Sequence, residues 1–192
     1  PNLVLYIKRG GSGTYTKINT VPTLYQDALH LWGPALNQLF SVGSIGKLFS
    51  YNGTTWSAID TGETDVGRHE GLHGTSATDV WAVGPRGSIV HYDGTKVARN
   101  RSNVFSGDFL AAGGSSANDA WFLIKGGTAV HFDGSGLSET KPIFTGIFPQ
   151  AYSISVSAAN SVWVGGEINS NPAISRFDGS SWFTQTLPPI YA

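Results

Sequence analysis

A unit of about 41 residues recurs along this 192-residue chain. Units of that size cannot bury an apolar face alone, so they must stack on one another. Three copies read clearly. Asp79-Val80-Trp81-Ala82-Val83-Gly84 is followed by Ile89-Val90-His91-Tyr92-Asp93-Gly94, Asp119-Ala120-Trp121 by Val130-His131-Phe132-Asp133-Gly134, and Ser161-Val162-Trp163 by Ile174-Ser175-Arg176-Phe177-Asp178-Gly179. A fourth lies upstream, Gln38-Leu39-Phe40-Ser41-Val42-Gly43 with Leu48-Phe49-Ser50-Tyr51-Asn52-Gly53. Phe40 to Trp81 is 41 residues, Trp81 to Trp121 is 40 and Trp121 to Trp163 is 42. The step from Phe132 to Phe177 is 45, which places an insertion at residues 167–172, expected as a loop.

In each copy an aromatic residue, then Asp or Asn, then Gly separates two short alternating runs. That pattern predicts a two-residue hairpin with both central residues at positive φ. The run around Trp81 reads as a strand, and before it comes a stretch of small residues such as Leu110-Ala111-Ala112-Gly113-Gly114. Each copy is therefore read as four short antiparallel strands, the blade of a β-propeller. The first strand should line the central channel, and the second should carry a large aromatic into the next blade. Phe40, Trp81, Trp121 and Trp163 are accordingly expected in the core rather than as a sugar-stacking ladder.

Tyr15-Thr16-Lys17-Ile18 lies 41 residues before Trp56-Ser57-Ala58-Ile59, so residues 3–18 read as the outer two strands of another blade. The expected fold is all-β: a propeller of four full repeats plus an N-terminal half-blade, with five blades or as part of a larger ring. The half-blade covers 1–20 and the blades about 27–60, 68–99, 108–142 and 150–187. A second chain or a further copy could complete the half-blade.

Composition narrows the function classes. Net charge is −1 with scattered Lys and Arg, which offers no footprint for nucleic acid. There is no Cys, so disulfides and thiolate chemistry are excluded. No apolar run approaches the roughly 20 residues of a membrane span, and no charged-then-apolar leader is present, so membrane insertion is not expected. No cofactor and no metal is expected.

The run Asp-Val-Trp-Ala-Val-Gly followed by His-Tyr-Asp-Gly at residues 79–94 resembles the repeats of bacterial β-propeller proteins. That resemblance implies an extracellular or secreted protein, a cytoplasmic one being the other reading. A more distant likeness is to propeller lectins, through the turns Tyr51-Asn52-Gly53-Thr54-Thr55-Trp56 and Phe177-Asp178-Gly179-Ser180-Ser181-Trp182. It implies carbohydrate binding, but the repeated Arg of fucose-binding members is missing here.

Individual motifs add little chemistry. His69-Glu70-Gly71-Leu72-His73 matches the zinc-protease pattern, which needs a helix to bring both imidazoles to one face. The repeat puts it at a strand entrance, and residues four apart in a strand lie about 13 Å from each other. It is read as coincidence. His91 and His131 share one place in consecutive blades, with Ser50 and Arg176 there in the others, and are read as strand-surface residues. Asp60, Glu63 and Asp65 crowd one loop and are read as solvated rather than as a glycosidase pair. Gly10-Gly11-Ser12-Gly13 is read as a hairpin turn, and Asn52 and Asn100 match glycosylation sequons by pattern only.

A ligand is expected on the face that carries the loops between blades, at residues 19–27, 60–70, 99–108 and 143–151. These supply Tyr25, Arg68, His69, Phe105 and Phe148, while Trp32 and His73 enter the inner strands. Aromatics in several loops without a repeated acid–base pair favour a non-catalytic, lectin-like module for a glycan. Binding of a protein surface, or a structural segment of a larger exported protein, is the alternative, and a glycoside hydrolase comes after both.

Overall fold

The computed structural model describes residues 6–8, 15–17, 28–63, 67–99, 107–139, 142–146 and 149–188. Strands β1 (Tyr6–Lys8) and β2 (Tyr15–Lys17) form an antiparallel pair. Four antiparallel sheets follow, each of four strands in chain order. The first holds β3 (Ala28–Ala35), β4 (Gln38–Gly43), β5 (Leu48–Tyr51) and β6 (Trp56–Ile59). The second holds β7 (Gly71–Ser76), β8 (Asp79–Val83), β9 (Ile89–Tyr92) and β10 (Val97–Arg99). The third holds β11 (Phe109–Ser116), β12 (Asp119–Ile124), β13 (Thr128–Phe132) and β14 (Leu137–Glu139). The fourth holds β15 (Gln150–Ala158), β16 (Ser161–Ile168), β17 (Asn171–Phe177) and β18 (Trp182–Thr186). The chain is an all-β assembly of propeller blades.

Blades meet through their first strands, β3 on β7, β7 on β11 and β11 on β15. Small residues make this approach close. A Cβ on Gly71 would fall 2.8 Å from the Ala111 backbone, and one on Gly74 would fall 2.6 Å from the Trp32 ring. Between blades the core is aromatic. Trp81 packs on Phe122 and Phe132 of the third blade, with centroids 5.1 and 5.0 Å away. Trp121 packs on Phe177 and Trp182 of the fourth at 5.1 and 5.8 Å. Phe40, Trp81 and Trp121 are buried as expected, but Trp163 is 42 % exposed. Its ring faces onward from the fourth blade, and no described blade stands there to cover it.

The Asx-Gly turns differ from the expected two-residue hairpins. The last pairs are Tyr51↔Trp56, Tyr92↔Val97, Phe132↔Leu137 and Phe177↔Trp182, so each loop has four residues. The Asp93 carboxylate accepts the N–H groups of Thr95 and Lys96, and Asn52, Asp133 and Asp178 do the same in their turns. With the side chain capping the loop, only the glycine needs positive φ: Gly53, Gly94, Gly134 and Gly179 lie between 88° and 102°. The insertion is not a loop either. It lengthens β16 and β17, pairing Glu167 with Pro172 and Ile168 with Asn171, and Asn169 and Ser170 at φ 54° and 63° form a true two-residue turn.

Candidate functional site

The repeat places four side chains together in the second blade. Asp79 opens β8, and its carboxylate accepts the indole N–H of Trp81 at 3.1 Å, the hydroxyl of Thr75, and the Nε2–H of His91 at 2.7 Å. Trp81 and His91 are cross-strand partners, so their rings share a face. They stack with centroids 3.9 Å apart and planes 8° from parallel. The third blade repeats this with Ser115, Asp119, Trp121 and His131, where the rings lie 4.0 Å apart. Burial alone would raise the Asp79 and Asp119 carboxyls. The hydrogen bonds from His91, Thr75 and Trp81, and from Ser115, His131 and Trp121, outweigh it and hold both groups below the ordinary carboxylate value.

In the fourth blade the same four places hold Ser157, Ser161, Trp163 and Arg176. Ser157 donates to Ser161 at 2.9 Å, and the guanidinium carbon of Arg176 lies 5.7 Å from the Trp163 ring centre. In the first blade they hold Pro34, Gln38, Phe40 and Ser50, with Phe40 and Ser50 paired across strands as the Trp and His are elsewhere. Nothing from the blade itself lies over Phe40 in the manner of His91 over Trp81.

A cleft opens at that place. Its volume is about 280 Å³, and it is lined by Asn37, Gln38, Phe40, Ser50, Tyr51, Asn52, Ala77 and Tyr92. It lies between the first two blades, at the end where the turns joining first to second and third to fourth strands meet. Gly53 sits against Asn37 there, as Gly94 sits against Thr78 in the next blade. The Phe40 and Tyr92 rings are 6.1 Å apart. The Tyr51 and Tyr92 hydroxyls each donate to their own turns, at Gly53 and Gly94, which fixes both rings. The lining thus offers aromatic faces, amides and a hydroxyl. Its size, near the low end of the roughly 300–1,000 Å³ of small-molecule pockets, suits one side chain or one sugar ring.

This end is opposite the loops that the sequence pointed to. Of the residues expected there, Tyr25, Phe105 and Phe148 lie outside the described residues. Arg68 is exposed and donates to Glu70 at 2.6 Å. His69 is fully buried, 3.4 Å from the Ser88 hydroxyl, which also lies 3.4 Å from Glu63. Burial lowers the His69 imidazole to about 4, with the Glu63 charge pulling the other way. His73 bonds the Gly114 carbonyl at 3.0 Å, and Trp32 lies beside it with ring centres 6.3 Å apart. These two are brought together between inner strands, whereas Arg68 and His69 belong to the loop before β7. Residues 69–73 include no helix, so the protease-like motif has no shared face. The signal for the cleft was present in the repeat, because Ser50 breaks the His91 and His131 series.

No protein-family model and no curated protein sequence matches the chain. Solved structures do. A structure of YCF48 bound to a D1 peptide is similar at 14 % identity and a TM-score of 0.70, covering 94 % of this chain and 60 % of that one. A catalytically inactive virginiamycin B lyase from Staphylococcus aureus, with quinupristin, is similar at 14 % identity and a TM-score of 0.77, covering 93 % and 61 %. YCF48 from Cyanidioschyzon merolae is similar at 15 % identity and a TM-score of 0.66, covering 95 % and 63 %. The chain therefore spans about three fifths of the length of these propellers. At such identities the likeness establishes the β-propeller fold.

Proposed function

We propose that this chain is a non-catalytic recognition module that holds a short segment of a protein partner in the cleft between its first two blades. The observation that carries this is the composition of the lining: Phe40, Tyr51 and Tyr92 beside Asn37, Gln38, Ser50 and Asn52. The lining holds no carboxylate, imidazole or amine, and the Tyr51 and Tyr92 hydroxyls are engaged by their own turns, so these groups suit stacking and hydrogen bonding rather than acid–base turnover. The peptide held by the structurally similar YCF48 supports a protein ligand.

A glycan is the second reading. An aromatic floor with neutral amides at its edge also suits a sugar ring, whose apolar face stacks while its hydroxyls bond the amides. Peptide and glycan arrays probed in parallel with the wild type and Ser50→His test both. Binding to peptides that falls with Ser50→His is the expected result. Glycan binding that falls instead would select the second reading, and binding unaffected by Ser50→His would remove the cleft from the function.

A further inference from the structure

We propose that the cleft is an unfilled seat for a guanidinium group, supplied by an arginine side chain of the bound partner. The proposal rests on the recognition-module reading and names the chemistry of its ligand. In three of the four blades the place across the ladder from the second-strand tryptophan holds a flat nitrogen-bearing group. His91 and His131 lie on Trp81 and Trp121 at 3.9 and 4.0 Å, and Arg176 lies over Trp163 at 5.7 Å. Only in the first blade is the place left to a small side chain, Ser50 opposite Phe40. That is also where the cleft lies, lined by Phe40, Ser50 and Gln38. The seat is reachable, because the side chains of His91 and His131 are about a quarter exposed in the equivalent positions.

The partner residue in each blade indicates which flat group belongs there. Imidazoles occur where Asp79 or Asp119 accepts their N–H, so a carboxylate fixes the ring. In the fourth blade that position is Ser161, which is neutral, and the group is a guanidinium. In the first blade the position is Gln38, also neutral. A guanidinium is cationic without help, carries five donors in one plane, and is attracted to aromatic faces. The amide oxygens of Gln38 and Asn37 and the Ser50 hydroxyl can accept from its edge, while Phe40 and Tyr92 offer their faces. An ammonium, compact and strongly hydrated, would match this slot less well.

The test uses the whole chain and NMR titration with N-acetyl-arginine amide, N-acetyl-citrulline amide and N-acetyl-lysine amide. Citrulline keeps the shape and removes the charge. The expected result is saturable shifts at the lining residues with arginine and an affinity at least about tenfold above citrulline, the size of a cation–π contact in a partly desolvated site. Ser50→His, which supplies a ring from the chain itself, should abolish the shifts. Ser50→Ala, which leaves the seat open but removes one acceptor, should weaken arginine binding by about tenfold and keep the shifts at the remaining lining residues. Equal binding of citrulline, or arginine binding that survives Ser50→His, overturns the proposal. If arginine fails to shift the lining while an array ligand still binds and is lost in Ser50→His, the seat is refuted and the recognition module stands. If array ligands bind but none responds to Ser50→His, both are refuted.

Discussion

The imidazole of His91 lies flat on the indole of Trp81, 3.9 Å away and 8° from parallel, while both rings donate a hydrogen bond to the same oxygen of Asp79. One carboxylate therefore satisfies a buried indole N–H and holds the ring that covers it. The same indole also packs on Phe122 and Phe132 of the next blade, so the group that holds Trp81 in place supports the aromatic contacts between blades.

Asp119→Ala should be costly. It leaves the Trp121 indole N–H, the Ser115 hydroxyl and His131 without their acceptor, and about 2–4 kcal/mol is expected for a buried charged hydrogen-bond network. Gln38→Ala, at the same place in the first blade, exposes no such group and should change stability by less than about 0.5 kcal/mol. Urea unfolding midpoints of the two variants measure the difference.

The aromatic row should separate by burial. Trp121 is 1 % exposed and Trp163 is 42 % exposed. Trp121→Ala should cost about 3–5 kcal/mol, as a large cavity in the core does, and Trp163→Ala less than about 1.5 kcal/mol. Equal losses would show that the onward face of the fourth blade is covered in solution.

Glycine at the capped turns should be irreplaceable where φ requires it. Gly94 has φ of 93°, and an added Cβ would lie 2.6 Å from the Thr78 side chain. Gly94→Ala should lose about 1–2 kcal/mol or more, through strain and collision together. Gly136→Ala meets nothing within 4 Å and has no positive φ, so it should be neutral or stabilise by a few tenths of about 1 kcal/mol. Thermal denaturation followed by near-ultraviolet circular dichroism reads both.

Stability should fall as pH drops from 6.5 toward 4. His69 is buried and neutral, with its pKa lowered from 6.5 to about 4, so within that window the unfolded chain takes up a proton that the folded chain refuses. The contribution is on the order of 3 kcal/mol, fully present above 6.5 and exhausted below about 4. His73 is lowered mainly by burial as well, so His69→Leu should reduce the slope without removing it. The turn carboxylates act lower. Asp93 and Asp133, held at about 2 by hydrogen bonds within their turns, stabilise the fold above 3.8 and lose that effect as pH falls through 2.

The sequence by itself determined the blade, the count of full repeats and the identity of the strands. Those follow from local matters: alternation along a strand, an Asx-Gly turn, and a period that puts Phe40, Trp81 and Trp121 in equivalent places. It also contained the Ser50 exception, although nothing local shows that a missing ring leaves a space rather than a collapsed contact. Tertiary structure decided that. The gap persists because Tyr51 and Tyr92 are anchored by their hydroxyls to Gly53 and Gly94, and Trp32 is held against Phe40 and Gly74, so no neighbour moves in. The same holds for His69 and Trp163. Their exposure depends on what the next loop or blade places against them, a long-range relation that residue type and spacing do not encode.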